Sequence, residues 1–416
     1  MRRVSILLVF ILSLVAALPA VAGDKVEICH FSPGGTGSKA ITVSAESAVR
    51  HIMQHGDHIG ACLIGGGIPS SMVYITDFSD NEVFVLNGDS NTQIDTLNTK
   101  KTPLRAVASP NGEFVYVTNL NSSSVTVVST SENTVIGVVS TGNGPQNVVF
   151  SPDSAMAYVY NVRAGSVSVV RTSDLTVVDT IAVGNGNPFA TFNNLAISPD
   201  GEFVYVTNTN DDTISVIETA GNTVRATVPV GSYPVAVAVT PDSQYVYVVN
   251  TESPVSVIQT SDHTVVKHVG KASLAQQSLA ITPDGQFVYT IGNTQFVQVI
   301  NTATITVVAT IEMNQANFGT DIVIAPDSNY VYIPSAQTSL GNGALNVIET
   351  ASQSVIARVP LGGTPKYAAI SPDGAMVYIA NFNTLDVVET IDNSLVNKVN
   401  TGGSNASGVA VVEIPY

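Results

Sequence analysis

Residues 198–208 read Ser-Pro-Asp-Gly-Glu-Phe-Val-Tyr-Val-Thr-Asn, and variants of this stretch recur along the chain. The opening tetrapeptide is a turn, because proline presets φ at the second position, Asp accepts local hydrogen bonds and glycine permits positive φ. The residues that follow are β-branched or aromatic, which favours a β-strand. The stretch therefore predicts a tight turn that leads directly into a strand.

The tetrapeptide recurs at intervals of 42 to 47 residues. Its copies begin at Ser109, Ser151, Ser198, Thr240, Thr282, Ala325 and Ser371. Each interval reads as four short strands, and four-stranded units at a fixed period of about 40–50 residues are typical of β-propeller blades. Three copies carry serine in the glycine position, at Ser154, Ser243 and Ser328. We therefore expect that the exit of this turn does not require positive φ in every copy.

The number of blades follows from the two ends of the repeat region. The second-strand motif occurs eight times, beginning with Val73-Tyr74-Ile75, whereas the tetrapeptide occurs only seven times. The C-terminal stretch Gly408–Ile414 matches the first strand of a unit but lacks the turn. We therefore predict that residues 72–98 supply three strands of the first blade and the C-terminus supplies its innermost strand. The prediction is an all-β, eight-bladed propeller over 72–416, with seven blades as the alternative.

The second-strand motifs Val115-Tyr-Val-Thr-Asn119 and Val204-Tyr-Val-Thr-Asn208 resemble the YVTN family of β-propeller repeats. That family is known from surface and exported proteins of archaea and bacteria. The resemblance implies the propeller fold and an extracytoplasmic setting. It implies little about activity, because propellers serve both as binding modules and as enzymes.

Residues 1–22 have the pattern of a secretory signal peptide. Arg2 and Arg3 precede an apolar run from Ile6 to Leu18, and Ala20-Val21-Ala22 offers a small-x-small cleavage site. Without the two arginines the chain has 14 basic and 32 acidic residues, a net charge of −18. This acidity argues against nucleic acid as a partner. We expect a protein that is secreted, periplasmic or held at the cell surface, and not integral to a membrane.

Residues 23–63 form a separate Cys/His-rich module, joined to the propeller by a linker at 64–71. The module resembles a short segment of exported bacterial proteins, through Ile28-Cys-His30, Ile41-Thr-Val-Ser44 and His55-Gly-Asp57. The resemblance implies a strand at Ile41–Ser44, and the residues themselves predict a helix at Ala45–His55 with Ser44 as its N-cap. Cys29 and Cys62 could form a disulfide, as exported thiols tend to do. Alternatively, the thiolates with His51 and His55 bind zinc or copper, or His51, His55 and His58 form a surface metal site beside the disulfide.

A ligand of a propeller usually meets the central axis. Counting five residues back from each turn proline gives a ring on the innermost strands. Its candidate ligand-binding members are Arg105, Asn147, Asn194, Ser278, Asp321 and Tyr367, with Gly408 at the same position of the C-terminal strand. The alternative is a water-filled channel mouth without a specific ligand. Asp and Asn clusters at Thr76–Asn81 and Asn208–Asp212 could bind Ca²⁺ weakly, although such residues are common in turns.

These patterns favour an extracytoplasmic binding or scaffold protein whose partner is an envelope protein or polysaccharide. A lactonase-like propeller hydrolase is the second hypothesis, and a metal-binding protein using the N-terminal cluster is the third. No catalytic residue is predicted, since His263 falls in a turn and His268 on an outermost strand, both far from the axis. No resident cofactor is expected beyond the metal alternatives already given.

Overall fold

A computed structural model describes residues 25–31, 38–44, 58–59, 70–187, 194–271, 276–292, 294–313, 317–337, 343–401 and 406–414. The chain divides into two compact units, Met1–Pro69 and Ser70–Tyr416. All regular elements in the described residues are β-strands. None of those residues forms a helix with the length and apolar character needed to cross a membrane.

The first unit contains strands β1 (Lys25–Phe31), β2 (Ser38–Ser44) and β3 (His58–Ile59) in one antiparallel sheet, ordered β2-β1-β3. The strand predicted at Ile41–Ser44 is confirmed within β2. In the pairing of β1 with β3, Cys29 stands opposite His58. Four other predictions lie outside the described residues: the signal peptide at 1–22, the helix at 45–55, the cysteine at 62 and the histidines at 51 and 55.

The second unit contains eight antiparallel sheets, each of which is one blade. We number the blades 1 to 8 in chain order. The innermost strands, from blade 1 to blade 8, are β36 (Ala406–Glu413), β7 (Pro103–Ala108), β11 (Pro145–Phe150), β15 (Leu195–Ile197), β19 (Pro234–Val239), β23 (Gln276–Ile281), the pair β27 (Asn317–Gly319) and β28 (Val323–Ile324), and β32 (Pro365–Ile370). The second strands are β4 (Ser71–Asp77), β8 (Phe114–Asn119), β12 (Met156–Asn161), β16 (Phe203–Asn208), β20 (Tyr245–Asn250), β24 (Phe287–Gly292), β29 (Tyr330–Gln337) and β33 (Met376–Asn381).

The two outer positions of each blade follow the same order. The third strands are β5 (Glu82–Asn87), β9 (Ser124–Ser129), β13 (Ser166–Arg171), β17 (Thr213–Glu218), β21 (Val255–Gln259), β25 (Phe296–Asn301), β30 (Ala344–Glu349) and β34 (Thr384–Glu389). The outermost strands are β6 (Thr92–Asn98), β10 (Thr134–Ser140), β14 (Thr176–Ala182), β18 (Thr223–Pro229), β22 (Thr264–Val269), β26 (Thr306–Glu312), β31 (Ser354–Pro360) and β35 (Ser394–Asn400).

The C-terminal strand closes the ring. β36 pairs antiparallel with β4, so blade 1 takes its innermost strand from the far end of the sequence. The predicted eight-bladed propeller and its mode of closure are therefore confirmed. This pairing covers the edge of β4, which would otherwise present unpaired backbone groups.

One tyrosine on the second strand of each blade packs against the following blade. Tyr116 of blade 2 lies in a cluster with Val148 and Phe150 of blade 3, and the Tyr116 and Phe150 ring centroids are 4.8 Å apart. Tyr378 of blade 8 packs in the same way against Val73 of blade 1. The eight tyrosines, each at most 2% exposed, are Tyr74, Tyr116, Tyr158, Tyr205, Tyr247, Tyr289, Tyr332 and Tyr378.

The serine copies of the turn do adopt positive φ, contrary to the expectation from sequence. Ser154, Ser243 and Ser328 have φ of 60°, 58° and 65°. The reason is a contact between neighbouring turns. The Oγ atoms of Ser154 and Ser328 accept the backbone N–H groups of Asn111 and Asp284 in the preceding blade, at 3.0 Å. This hydrogen bond offsets the steric cost of the left-handed conformation.

The glycine copies of the turn meet the preceding blade differently. A Cβ added to Gly201 would lie 3.1 Å from Pro152 Cδ, and one added to Gly374 would lie 3.2 Å from Pro326 Cδ. Both glycines also have φ of 76°. Blades 4, 6 and 8 therefore carry glycine against a proline, while blades 3, 5 and 7 carry a serine that accepts an N–H group. The turns thus pack in two alternating ways around the ring.

The two faces of the propeller differ in their connections. One face holds the five-residue turns 109–113, 151–155, 198–202, 240–244, 282–286, 325–329 and 371–375, and the four-residue turns 88–91, 130–133, 172–175, 219–222, 260–263, 302–305, 350–353 and 390–393. We call it the uniform-turn face. The opposite face joins second to third strands and outermost strands to the next blade. Its connections range from residues 382–383 to residues 183–194, and we call it the variable-loop face.

Charge is also divided between the faces. The fifteen turns of the uniform-turn face carry thirteen Asp or Glu residues and no Lys or Arg. The connections of the variable-loop face carry Asp80, Asp211, Asp212 and Glu252 against Lys100, Lys101, Arg163 and Lys271. The acidity of the propeller is therefore concentrated on the uniform-turn face, where it creates a negative potential.

Every outermost strand has a β-bulge at its third residue, where its register with the third strand shifts. The bulged residue is an exposed Val or Ile in seven blades: Ile94, Ile136, Val178, Val266, Val308, Ile356 and Val396. In blade 4 it is Arg225. A bulge twists an edge strand and disfavours pairing with another chain, so the rim of the propeller is protected at eight points.

Substitution of Ser154 tests the turn contact. Ser154→Ala removes the acceptor for the Asn111 N–H and keeps a Cβ in the left-handed region, so we expect a loss of about 1–2 kcal/mol in unfolding free energy. Ser154→Gly also loses the hydrogen bond but relieves the backbone, so it should stay within about 0.5 kcal/mol of the natural protein. Urea denaturation measures both variants. Equal stability of the Ala variant and the natural protein would show that the hydroxyl contributes nothing.

Candidate functional site

The ring residues predicted from the turn prolines lie at one equivalent position of the innermost strands. Arg105 pairs with Thr118, Asn147 with Tyr160, Ser278 with Ile291 and Tyr367 with Ala380. Asn194 directly precedes β15, and Asp321 stands two residues before β28. Because each innermost strand starts from the variable-loop face, the ring lies at the mouth of the channel on that side.

Arg105 and Tyr367 are brought together across blade 1. The guanidinium carbon of Arg105 on blade 2 lies 4.3 Å from the ring centroid of Tyr367 on blade 8. The blade between them has Gly408 at this position. A Cβ on Gly408 would stand 2.8 Å from Leu104 O and 3.1 Å from Arg105 Cα. Glycine is therefore needed where β36 approaches β7, and it leaves space for the arginine side chain to reach Tyr367.

Asp321 is a buried carboxylate that joins blades 7 and 8. Its Oδ1 accepts the N–H of Ile322 at 2.9 Å, and its Oδ2 accepts the N–H of Ala368 at 3.1 Å. Burial raises the pKa of Asp321 above its ordinary value, while the charge of Arg105 and the two backbone donors oppose that rise. Arg105, Tyr367 and Asp321 thus form one charged group that spans blades 2, 8 and 7.

The other half of the ring is neutral. Asn194 Nδ2 donates to Gln146 Oε1 between blades 4 and 3. Asn147 Oδ1 accepts the N–H of Val148 at 2.9 Å, and Ser278 is buried at the equivalent point of blade 6. The structure therefore does not gather all six predicted residues into one cluster. It divides them into a charged group and an amide-lined arc.

Gln146 and Lys366 belong to the mouth but were missed from the sequence. Both are bulged residues, because the register of β11 shifts between Pro145 and Asn147 and that of β32 shifts between Pro365 and Tyr367. Strict alternation of side chains along a strand would direct the residue before each ring position into the blade. A β-bulge re-aims side chains locally. The proline two residues before Arg105, Asn147 and Tyr367 was the available signal.

Lys366 lies beside an aromatic ring at the rim of the mouth. Its Nζ is 5.4 Å from the ring centroid of Phe382, which is 46% exposed. Burial lowers the pKa of Lys366 below its ordinary value of 10.5. Together with Arg105 it places two basic side chains at the mouth.

The longest connection, residues 183–194, is anchored on its first half. Asn185 N donates to Asp211 Oδ2 at 2.6 Å, and Asn210 Nδ2 donates to Gly186 O at 2.9 Å. Asp212 Oδ1 accepts the N–H of Tyr233 at 2.9 Å. The carboxylates of the stretch 208–212, which the sequence offers either as turn residues or as a weak Ca²⁺ site, thus accept hydrogen bonds from neighbouring loops. In the stretch 76–81, Asp77 Oδ1 likewise accepts the N–H groups of Ser79 and Asp80.

The two histidines of the propeller lie away from the mouth. His263 lies in a turn of the uniform-turn face and His268 on β22, both as predicted. Within the described ranges, no three His, Cys, Asp or Glu side chains converge in a way that could hold a metal ion. The chemistry available at the mouth is therefore that of charged, amide and aromatic side chains.

The fold and this mouth define a β-propeller with a polar opening on one face. Residues 105–273 match the model of a family described as lactonase, seven-bladed β-propeller. No curated protein matches the chain in sequence. The match covers less than half of the chain, and the propeller has eight sheets in the described residues.

Solved structures share the fold at low sequence identity. The chain is similar to the dihydro-haem d1 dehydrogenase NirN in complex with DHE, with a TM-score of 0.68 and 16% identity over 83% of this chain and 75% of that one. It is similar to apo AztD from Citrobacter koseri, with a TM-score of 0.62 and 13% identity over 83% and 99%. A Kuenenia stuttgartiensis hydrazine synthase gives 0.54 and 21% over 65% and 95%. These likenesses concern the fold alone.

The pH dependence of stability tests the link between Arg105 and Asp321. Because the folded pKa of Asp321 is raised, the stability that it contributes is present below the unfolded value of 3.8 and is lost as pH rises through the folded pKa. Arg105→Gln removes the charge that opposes the rise. We expect the stability gap between the natural protein and this variant to widen as pH increases from about 4 to 8. Urea denaturation at several pH values measures the gap.

The control compares Asp321→Asn with the double variant Arg105→Gln/Asp321→Asn, because neither has the ionisable group. The stability gap between these two variants should not change with pH. A gap that is constant with pH in the single variant would contradict the electrostatic link.

Proposed function

We propose that this protein is an extracytoplasmic binding protein that holds an acidic sugar of the cell envelope at the variable-loop mouth. The observation that carries the proposal is the restriction of loop variation to one face, the same face that presents Arg105 and Tyr367. In repeat proteins, variation among the units concentrates on the binding face. The constant turns of the opposite face serve the packing of blades.

The side chains of the mouth fit a ligand with a carboxylate and several hydroxyl groups. Arginine is the preferred partner of carboxylates, because its planar N–H donors match their geometry. The amides of Gln146, Asn147 and Asn194 can donate to hydroxyl groups or accept from them. Tyr367 and Phe382 offer aromatic faces for the apolar side of a sugar ring.

Binding is favoured over hydrolysis because both oxygens of the Asp321 carboxylate already accept hydrogen bonds. A general base needs an oxygen within hydrogen-bond reach of substrate or water. In Asp321, both oxygens accept backbone N–H groups, which ties the side chain to the joint between blades 7 and 8. A lactonase-like hydrolase is the second candidate, supported by the family match over residues 105–273.

Calorimetric titration with D-glucuronate tests the proposal. We expect saturable binding, with glucose much weaker because it lacks the carboxylate. Arg105→Gln should weaken glucuronate binding about tenfold or more, the effect of one lost charge-assisted hydrogen bond. Arg171→Gln is the matched control, because Arg171 ends β13 beside the uniform-turn face. This variant should bind as the natural protein does.

Two results would overturn the binding proposal. One is the absence of saturable binding, and the other is equal weakening by Arg171→Gln. If the protein instead hydrolyses a sugar lactone and Arg105→Gln abolishes that turnover, the hydrolase becomes the function of the mouth.

The proposed location depends on the N-terminal residues. If residues 1–22 are removed on export and Cys29 pairs with Cys62, the mature chain should begin near Gly23 with a mass about 2 Da below its reduced form. Intact mass spectrometry of protein from an oxidising compartment measures both. A bound zinc or copper ion with two free thiols would establish the metal-site alternative for the module instead.

A further inference from the structure

A cleft of about 500 Å³ opens on the uniform-turn face between blades 4 and 5. It is lined by the turns at 198–202 and 260–263, by the start of β16 and by the bulge of β18. These residues lie on the face opposite to the mouth. The cleft is therefore separate from the site proposed above.

The cleft is built where this interface departs from the repeat. The bulge of the outermost strand is Val or Ile in the other seven blades, but it is Arg225 here. The last residue of the following four-residue turn is His263, which packs edge-on against Phe203 with ring centroids 4.8 Å apart. At the equivalent interfaces Leu175 and Ile305 fill this place and join the hydrophobic clusters of Tyr116 and Tyr247.

Two buried polar atoms at the cleft lack hydrogen-bond partners among the described residues. They are the Tyr205 hydroxyl, on a side chain that is 0% exposed, and His263 Nδ1. At two of the other interfaces Tyr289 Oη donates to Gln353 Oε1 at 2.9 Å and Tyr74 Oη donates to Asn133 Oδ1 at 3.3 Å. The hydroxyls of Tyr116 and Tyr247 lack a partner among the described residues, as that of Tyr205 does. A buried polar group without a partner costs about 1–3 kcal/mol, so both atoms favour a ligand that satisfies them.

The polar groups of the cleft are mainly acceptors. Asp200, Glu202, Glu218 and Asp262 line it with Ser and Thr hydroxyls. Burial and the charge of Arg225 lower the pKa of His263 below its ordinary value of 6.5, so the ring is neutral at neutral pH and one nitrogen can accept. The surrounding face adds a negative potential. These acceptors match a ligand that carries only donors.

A metal ion does not fit this arrangement, because no three of the carboxylate and histidine side chains in the described residues converge on one point. An ammonium group has three N–H donors and no acceptor. The aromatic wall of Phe203, Tyr205 and His263 can pack against an aliphatic stem and attract its cationic end.

We propose that the cleft between blades 4 and 5 binds a primary alkylammonium group, with Glu218, the Tyr205 hydroxyl and His263 Nδ1 as acceptors. The group belongs to a small diamine or to a lysine side chain of a partner protein. Arg225 stands exposed on the outermost strand at the edge of the cleft. Its positive charge repels the bound cation and lowers the affinity, so replacing Arg225 with a neutral residue should raise the affinity.

Calorimetric titration of the full chain with 1,5-diaminopentane and with an acetylated tetralysine peptide, at low ionic strength, tests the proposal. We expect Glu218→Gln to weaken binding about tenfold. Arg225→Val, which restores the residue type of the other blades, should strengthen it severalfold. Tighter binding of the diamine would assign the site to a small amine, and tighter binding of the peptide would assign it to a protein partner.

Matched controls exist in the other blades. Glu349 pairs with Tyr330 of blade 7 just as Glu218 pairs with Phe203 of blade 4, so Glu349→Gln should leave binding unchanged. Tyr205→Phe should weaken binding while keeping or raising the melting temperature, because it removes an unpartnered buried hydroxyl. Tyr247→Phe removes the equivalent hydroxyl of blade 5 and should affect only the melting temperature.

Three results would overturn the proposal: no saturable binding of either probe, equal weakening by Glu218→Gln and Glu349→Gln, or unchanged affinity in Arg225→Val. The second result would mean that the acidic face attracts cations without a specific site. Circular dichroism of each variant confirms that the propeller is intact before titration.

Discussion

The structure of the propeller depends on the burial of one tyrosine between each pair of blades. A single four-stranded blade has two apolar faces and cannot bury either of them alone. Each tyrosine of the second strand supplies the largest side chain of its interface, and removing an aromatic side chain from such a core costs about 3–5 kcal/mol. The contact of Tyr378 with blade 1 repeats the one between Tyr116 and blade 3. Closure of the ring therefore uses the same interaction as every other joint.

This constraint explains why one face is constant and the other is not. Turns of the uniform-turn face touch one another, either through a serine Oγ that accepts an N–H group or through a glycine that meets a proline. A change in their length would break the contact between blades. Connections of the variable-loop face are also joined by repeated backbone hydrogen bonds, such as Leu120 N to Thr102 O and Val162 N to Gly144 O, yet they differ in length from two residues to twelve. Loops on a surface tolerate such changes in length. The connections that vary in length therefore surround the mouth of the channel.

Both candidate binding sites lie where individual residues depart from the repeat. At the mouth, Gly408 lacks a side chain and thereby lets Arg105 reach Tyr367. On the opposite face, Arg225 and His263 replace apolar or amide residues and open a cleft among carboxylates. Both places combine a charged side chain with an aromatic wall, although the mouth is rich in basic groups and the cleft in acidic ones. The net negative charge of the whole chain does not reveal that the mouth is basic and the cleft acidic.

The amino-acid sequence was sufficient to predict the fold, because the turn tetrapeptide, the β-branched strands and the period of the repeat describe local structure and its repetition. It also placed Arg105, Asn147, Ser278 and Tyr367 at one level of the channel, since equal spacing from equivalent turns gives equal height. Which of these residues are in contact depends on how the blades are arranged in the ring. Arg105 approaches Tyr367 because the ring brings residues 262 positions apart together, a distance that no local pattern encodes. Likewise Gln146 and Lys366 reach the mouth through β-bulges, which break the alternation on which sequence reasoning relies, and the positive φ of Ser154 depends on an N–H group supplied by another blade.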